Sequence, residues 1–195
     1  MQKISIVKLL SIVLFLGLFS GLAFADDLND LFKQVKKLNI ERHGYILGVP
    51  LNKGQIKIAD ANPVESTSKD IFKFRDKNLY VVAQKTSNRV LVIYEQIEEA
   101  TQQKIKDLIG DLYMQFDDPT VLAHDKIVYW AYEKKGKVSS EAFGKAKEDK
   151  GKKLDILATV KFVSEIEIME KQKEPAKGHV YYTISSGPIL NFFKD

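Results

Sequence analysis

Cysteine is absent from this chain of 195 residues, and the absence excludes several kinds of chemistry. A chain without thiols has no disulfide framework, no cysteine nucleophile and no thiolate-bound zinc. A lipoprotein is excluded as well, because acylation at a signal-peptide cleavage site needs a cysteine there. We therefore expect a fold that is stabilised by an ordinary hydrophobic core.

Histidine is also scarce, with three residues in separate segments: His43, His124 and His179. None of them has the close histidine or carboxylate spacing of the common zinc motifs. The sequence contains no G-x-S-x-G elbow, no phosphate-binding loop, no G-x-G-x-x-G motif and no calcium-binding loop. We predict no metal, no cofactor and no recognisable catalytic set.

One histidine leaves a catalytic alternative open. His124 is followed by Asp125, and a carboxylate can orient an imidazole for proton transfer. Adjacent residues in a loop rarely reach that geometry, so a solvated loop pair is the favoured interpretation. The alternative is a small exported hydrolase that uses His124 with carboxylates assembled by the fold.

Arginine is limited to three residues, Arg42, Arg75 and Arg89, so nearly all the positive charge is lysine. Bidentate phosphate recognition favours arginine, whereas lysine suits a solvated surface. The net charge of +4 falls to +2 without the first 25 residues, which carry two lysines and no acid. A nucleic-acid-binding domain would show a larger basic excess on one face, so we predict no nucleic-acid partner.

The first 25 residues are typical of a secretory signal peptide. Two lysines precede an apolar run, and Ala23 and Ala25 provide the small side chains of a cleavage site. The uncharged run from Leu9 to Ala25 has 17 residues, fewer than the roughly 20 of a spanning helix, so a retained anchor is the less favoured alternative. We predict cleavage between Ala25 and Asp26, and export to the periplasm or the extracellular space.

Two segments of the predicted mature chain have helical periodicity. Apolar residues from Leu28 to Leu38, and from Ile105 to Phe116, recur at the spacing that lines one face of a helix. We expect Thr101 to cap the second helix and Asp117–Pro119 to end it, because proline disfavours helical geometry in the residue before it. Gly110 lies inside this helix and is interpreted as permitting close packing against a strand.

Eight segments have the composition of β-strands and are separated by turn residues. In Leu79–Gln84 and Val90–Glu95 both alternating faces are apolar, so we expect this hairpin inside the sheet with cover on both sides. The longest run, Leu154–Ile168, is expected to bend near Ser164. The remaining strands are predicted at Tyr45–Val49, Gln55–Asp60, Ile71–Arg75, Ile127–Tyr132 and Val180–Ser185.

These elements predict one α+β domain over residues 26–195, with a mainly antiparallel sheet of about eight strands and the two helices packed on it. Between residues 134 and 153, eight lysines accompany three acids. We expect a mobile excursion there, with one helical turn around Ser140–Ala146. The favoured interpretation is a solvated loop, and the alternative is weak contact of 134–153 with an anionic membrane surface.

Aromatic side chains give the more specific binding hypothesis. Tryptophan and tyrosine combine a large apolar body with a polar group, which suits contact with a partner. Alternation puts Trp130 and Tyr132 on one strand face, and with His124 they form a candidate ligand face, whereas core packing is the alternative. Other tyrosines that share this hypothesis are Tyr80, Tyr94, Tyr129, Tyr181 and Tyr182.

The run from the central helix through Phe116–Pro119 to Val128–Tyr132 resembles the helix, turn and W-x-Y strand of small BamE-type envelope domains. The resemblance covers about thirty residues and transfers no functional residue, and the lipid-anchoring cysteine of that group is missing. The sequence as a whole predicts an exported, soluble, non-catalytic domain. We expect it to bind a protein partner or a small ligand through its sheet and a neighbouring loop.

Overall fold

The computed structural model describes residues 27–66, 68–149, 153–169 and 176–193, and the predicted signal peptide lies outside these ranges. The chain has the predicted α+β class with an antiparallel sheet. Helix α1 covers residues 27–37. The strands are β1 (Glu41–Arg42), β2 (Tyr45–Ile46), β3 (Pro63–Val64), β4 (Ile71–Asp76), β5 (Leu79–Gln84), β6 (Val90–Thr101), β7 (Val121–Ala123), β8 (Ile127–Glu133), β9 (Gly136–Lys137), β10 (Ala158–Ser164) and β11 (Lys177–Ser185). The other helices are α2 (Lys53–Ala61), α3 (Gln102–Phe116), α4 (Ser140–Glu148) and α5 (Gly187–Leu190), with a final 3₁₀ turn at Asn191–Phe193.

Nine of the described strands form one sheet, in the order β3, β4, β5, β6, β11, β10, β8, β7, with β9 also paired to β8. The ladders between these strands are antiparallel. Strands β3 to β6 form one meander, and the strands after α3 form a second one that returns toward the first. Pairing of β6 with β11 therefore joins the two meanders at the centre of the sheet.

Helices α1 and α3 cover one face of the sheet. Phe32 and Val35 of α1 belong to the same core cluster as the buried residues of α3 and the strands. Helix α3 begins after the predicted cap Thr101, whose hydroxyl accepts a hydrogen bond from the Lys104 amide. The prediction of close packing at Gly110 is wrong, because an added Cβ there would meet nothing within 4 Å.

The prediction of a strand at Gln55–Asp60 is wrong, because this segment lies in α2. The Asn52 side chain accepts hydrogen bonds from the amides of Gly54 and Gln55, and the Gln55 side chain accepts from the Asn52 amide. This reciprocal capping box satisfies amides that otherwise lack partners in the first helical turn. Local capping thus decides the conformation of a segment whose apolar residues alternate like those of a strand.

The central hairpin is only partly as expected. Strand β5 has the predicted bounds, and both β5 and β6 lie inside the sheet. Leu79, Val81 and Ile93 are buried, but the alternating Tyr80 and Val82 are part-exposed. The prediction of cover on both sides is therefore wrong, and the second face of the sheet is accessible to solvent at its centre.

The bend predicted near Ser164 is present. The Ser164 hydroxyl donates to the Ile166 carbonyl at 2.6 Å and accepts from the Ile166 amide at 3.2 Å, so the chain turns directly after β10. In the lysine-rich stretch, α4 has nine residues and is longer than the single turn predicted. The mobility of that stretch stays a prediction. Among the described residues, no helix has the length and apolar character needed to span a membrane.

Candidate binding face

The accessible side of the sheet, which we call the open face, carries the side chains that alternate with core residues. The strand register aligns one such side chain from each of seven strands, and we call this line of side chains the central row. Neighbouring strands lie about 4.8 Å apart, so six steps span about 29 Å along the sheet. From β4 to β7, the central row consists of Arg75, Tyr80, Tyr94, Thr183, Lys161, Tyr129 and Val121.

Aromatic rings contact one another at the centre of the open face. The ring centroids of Tyr80 and Tyr94 are 5.9 Å apart, and those of Tyr94 and Tyr181 are 6.5 Å apart. Tyr181 in turn stacks on His179 at 6.3 Å. Burial, together with the neighbouring phenols, raises the pKa of Tyr94. The open face therefore has a continuous aromatic surface of four rings.

Cations border this aromatic surface. The Lys73 Nζ and the Arg75 guanidinium carbon lie 4.8 Å and 5.5 Å from the centroid of the Tyr80 ring, within the range of cation–π attraction. The Arg75 Nε also donates to the Lys77 carbonyl at 2.6 Å. Lys161 is exposed on β10. Within the described residues, Lys73, Arg75 and Lys161 form no ion pair with a carboxylate.

A polar groove of about 360 Å³ lies beside the turn between β4 and β5, at one end of the central row. Its wall presents a guanidinium, a phenol, two amides and a carboxylate, all of which can form hydrogen bonds with a ligand. The Tyr94 hydroxyl donates to Gln96 Oε1 at 3.2 Å and so connects the groove to the aromatic surface. The lining residues are Arg75, Asn78, Tyr80, Gln96, Ile97 and Glu98.

A histidine–carboxylate pair marks the other end of the aromatic surface. The His179 Nδ1 lies 2.8 Å from Glu165 Oε2, and the His179 amide donates to the same oxygen at 2.9 Å. The backbone and side-chain hydrogen bonds from His179 lower the pKa of Glu165. The hydrogen bond and the charge of Glu165 raise the pKa of His179. The pair therefore ties the bend after β10 to strand β11.

The residues of the predicted ligand face are not brought together on an exposed surface. Trp130 is fully buried, and its Nε1 donates to the Asp117 carbonyl at 2.8 Å. Tyr132 is buried as well, and this burial, with the nearby charge of Asp117, raises its pKa to about 12. Both side chains share one strand face, as alternation predicted, but that face is turned toward the core.

His124 lies exposed in the turn between β7 and β8, and both it and Asp125 have left-handed backbone conformations with φ of 53° and 49°. The Asp125 carboxylate accepts from the Met169 amide at 2.9 Å, and the Asp125 carbonyl accepts from the Ile168 amide at 2.8 Å. His124 forms no hydrogen bond or ion pair with any described residue. Asp125 thus holds the segment after β10, and the geometry gives no support to the hydrolase alternative.

Sequence reasoning missed a partly buried ion pair on the core side of the sheet. The Arg42 Nε and Nη2 donate to Glu95 Oε2 at 3.1 Å and 2.8 Å, and the His43 Nε2 lies 4.0 Å from the same oxygen. The Arg42 guanidinium also lies 5.0 Å from the Tyr182 ring centroid. Strand alternation could have indicated this ion pair, because it places the Glu95 carboxylate on the same side of β6 as buried residues, where a charge needs a partner. The pair packs the β1–β2 hairpin against the sheet, beside a groove of about 270 Å³.

A further groove of about 540 Å³ lies between α2 and β4. Its wall is mainly apolar, with Ile56, Ile71 and Phe72, and carries Lys73 and Lys85 beside the acid Asp60. Across the described part of the chain, no three or more histidine, aspartate or glutamate side chains are placed to hold a metal ion. Among the described residues, the open face combines aromatic rings, cations and a polar groove on one accessible surface.

Comparisons with known proteins give no match: no family model fits the chain, and neither the curated proteins nor the solved structures contain a significant relative. None of these comparisons supports the resemblance to BamE-type domains.

Proposed function

We propose that the protein is a non-catalytic domain of the cell envelope that binds a partner protein through the open face. The observation that carries the proposal is the central row, in which three tyrosines and an arginine lie on one accessible surface. Tyrosine and arginine are among the residue types that dominate the binding energy at protein interfaces. The location in the cell envelope rests on the predicted signal peptide.

The dimensions of the open face favour a protein over a small molecule. Three parallel rows of side chains are about 20 Å wide, so with a length of about 29 Å they cover about 600 Å². A standard protein interface buries about 800 Å² on each partner, whereas a small molecule usually binds in a concave pocket that encloses most of its surface. The polar groove is continuous with the central row and therefore extends the same surface.

A photo-reactive amino acid at Val82 of the full-length chain tests this proposal in cells that produce the protein. Val82 lies on the open face next to the tyrosines, and we expect irradiation to give a discrete adduct with one protein. The matched control position is Lys104, which is exposed on α3 and away from the open face. Equal yields of adduct from both positions, or no adduct from Val82, would contradict the proposal.

A further inference from the structure

We infer that the partner surface seated on the open face is acidic, an inference that rests on the proposed protein-binding function. The outward-facing positions of β4, β5, β11 and β10, and of β6 as far as Gln96, contain no aspartate or glutamate. The same positions carry several cationic or titratable basic side chains, namely Lys73, Arg75, Lys161, Lys177 and His179.

Carboxylates near the open face are confined to its margins. Glu99 pairs with Lys177 at 3.3 Å, and Glu165 pairs with His179 at 2.8 Å. Two further acids are Glu98, on the wall of the polar groove, and Glu133, at the end of β8, whose Oε1 accepts a hydrogen bond from the Asp155 amide at 3.1 Å. The cations of β4 and β10 form no ion pair within the described residues. Positive charge is therefore left uncompensated on both flanks of the tyrosines.

Uncompensated cations of this kind select for carboxylates on the partner. Interfaces are arranged so that positive patches meet negative ones, and a juxtaposition of like charges is costly. Lys73 and Arg75 already lie over the Tyr80 ring, so less side-chain entropy is lost when they bind. A second copy of this chain is a poor occupant, because a two-fold interface would place the open face, with its excess of positive charge, against an identical face.

An acidic polysaccharide is the competing occupant. Sugar rings pack on the exposed faces of aromatic rings, but the rings at the centre of the open face, those of Tyr80, Tyr94, Tyr181 and His179, contact one another or a cation. The Tyr80 ring has Lys73 and Arg75 on it and Tyr94 beside it, and Tyr94 contacts Tyr181. Few ring faces are therefore left for sugars, and the side-chain carboxylates of a polypeptide fit the surface better.

Titration of the isotope-labelled full chain with a poly-L-glutamate peptide, followed by amide chemical shifts, tests the inference. We expect shifts on β4, β5 and β10, with binding that weakens as salt is added. The double variant Lys73→Gln/Lys161→Gln should bind about tenfold more weakly, because it removes two cations that can each form an exposed ion pair with the peptide. The control Lys57→Gln/Lys104→Gln removes the same charge from two exposed helix positions and should bind like the unmodified protein.

Three outcomes would overturn the inference. Equal weakening in both double variants would show that the attraction is not specific to the open face. A Val82 adduct without any polyglutamate binding would mean that the partner is not acidic, although the protein-binding proposal would stand. If polygalacturonate shifts the same amide signals and binds more tightly than polyglutamate, the open face would be assigned to a polysaccharide. The salt dependence of polyglutamate binding to the unmodified protein is a test without any substitution, and binding that does not weaken with salt would contradict the inference.

Discussion

Strand alternation gives the tyrosines of this protein two different roles. Tyr80, Tyr94 and Tyr181 are part-exposed on the open face, whereas Tyr132 and Tyr182 are buried on the opposite side. A buried phenol needs a hydrogen-bond partner, but the Tyr182 hydroxyl has none among the described residues. Burial raises the pKa of Tyr182 although the charge of Arg42 opposes the shift. This hydroxyl is therefore expected to destabilise the fold.

The substitution Tyr182→Phe should raise the free energy of unfolding by about 1 kcal/mol. It removes a buried hydroxyl whose lost hydration costs about 1–3 kcal/mol, and it leaves the ring and its contact with Arg42 in place. Urea denaturation measures the change. The matched control Tyr181→Phe alters a part-exposed phenol, and we expect a change below about 0.5 kcal/mol. A loss of stability in Tyr182→Phe would show that the hydroxyl is hydrogen-bonded after all.

Two glycines, one in a strand and one in a helix, differ in the space around them. At Gly178 of β11, an added Cβ would lie 2.9 Å from Ile166 Cγ2 and 3.3 Å from Glu165 Cβ, so Gly178→Ala should destabilise the protein by about 1–3 kcal/mol. At Gly110 of α3 the space is open, so Gly110→Ala should stabilise it by about 1 kcal/mol. Thermal or urea unfolding of both variants checks the opposite signs. Equal effects at the two positions would contradict the packing described.

The connection between β10 and β11 should depend on pH. The pKa of His179 lies above its ordinary 6.5, so its contribution to stability is present below 6.5 and is lost as the pH rises through the folded-state value. The pKa of Glu165 lies below its ordinary 4.5, so its contribution is present above 4.5 and is lost as the pH falls. The pair therefore stabilises this connection most between about pH 4.5 and 6.5.

Nuclear magnetic resonance of the imidazole groups measures this coupling directly. Glu165→Gln replaces the carboxylate beside the imidazole with a neutral amide. We therefore expect the pKa of His179 to move down toward 6.5. The His124 resonances should be the same in both proteins, because His124 forms no contact with Glu165. An unchanged His179 titration in the variant would mean that the two side chains are not paired in solution.

The bounds of a helix or strand were predicted well where the residues that determine them lie within the element or next to it. The bounds of β5, and the start of α3 at its Thr101 cap, follow from alternation, helical periodicity and capping. The capping box of Asn52 and Gln55 is a local signal too, but the strand predicted at Gln55–Asp60 rested on the alternating apolar residues alone. The side of β8 that faces the core could not be predicted from that strand alone. It depends on the packing of α3 against Trp130.

At the scale of the whole molecule, the open face is a product of long-range pairing. Tyr94 and Thr183 become neighbours only because β6 pairs with β11, which joins the two meanders. The sequence therefore placed these tyrosines on strands, but it could not predict the row that they form, and a binding role for the sheet stays a prediction. The same pairing aligns the buried residues of β6 and β11, such as Ile93 and Ile184, on the side of the core, and it leaves Tyr94 and Thr183 part-exposed on the other side.

Tyrosine nitration, compared between the purified protein and the protein in its native surroundings, tests the central claim most directly. We expect Tyr80, Tyr94 and Tyr181 to be nitrated in the purified protein and protected where the partner is present. The buried Tyr132 and Tyr182 serve as internal controls and should stay unmodified in both states. Equal nitration of Tyr80, Tyr94 and Tyr181 in both states would show that no partner covers this part of the open face, and it would contradict the proposed function.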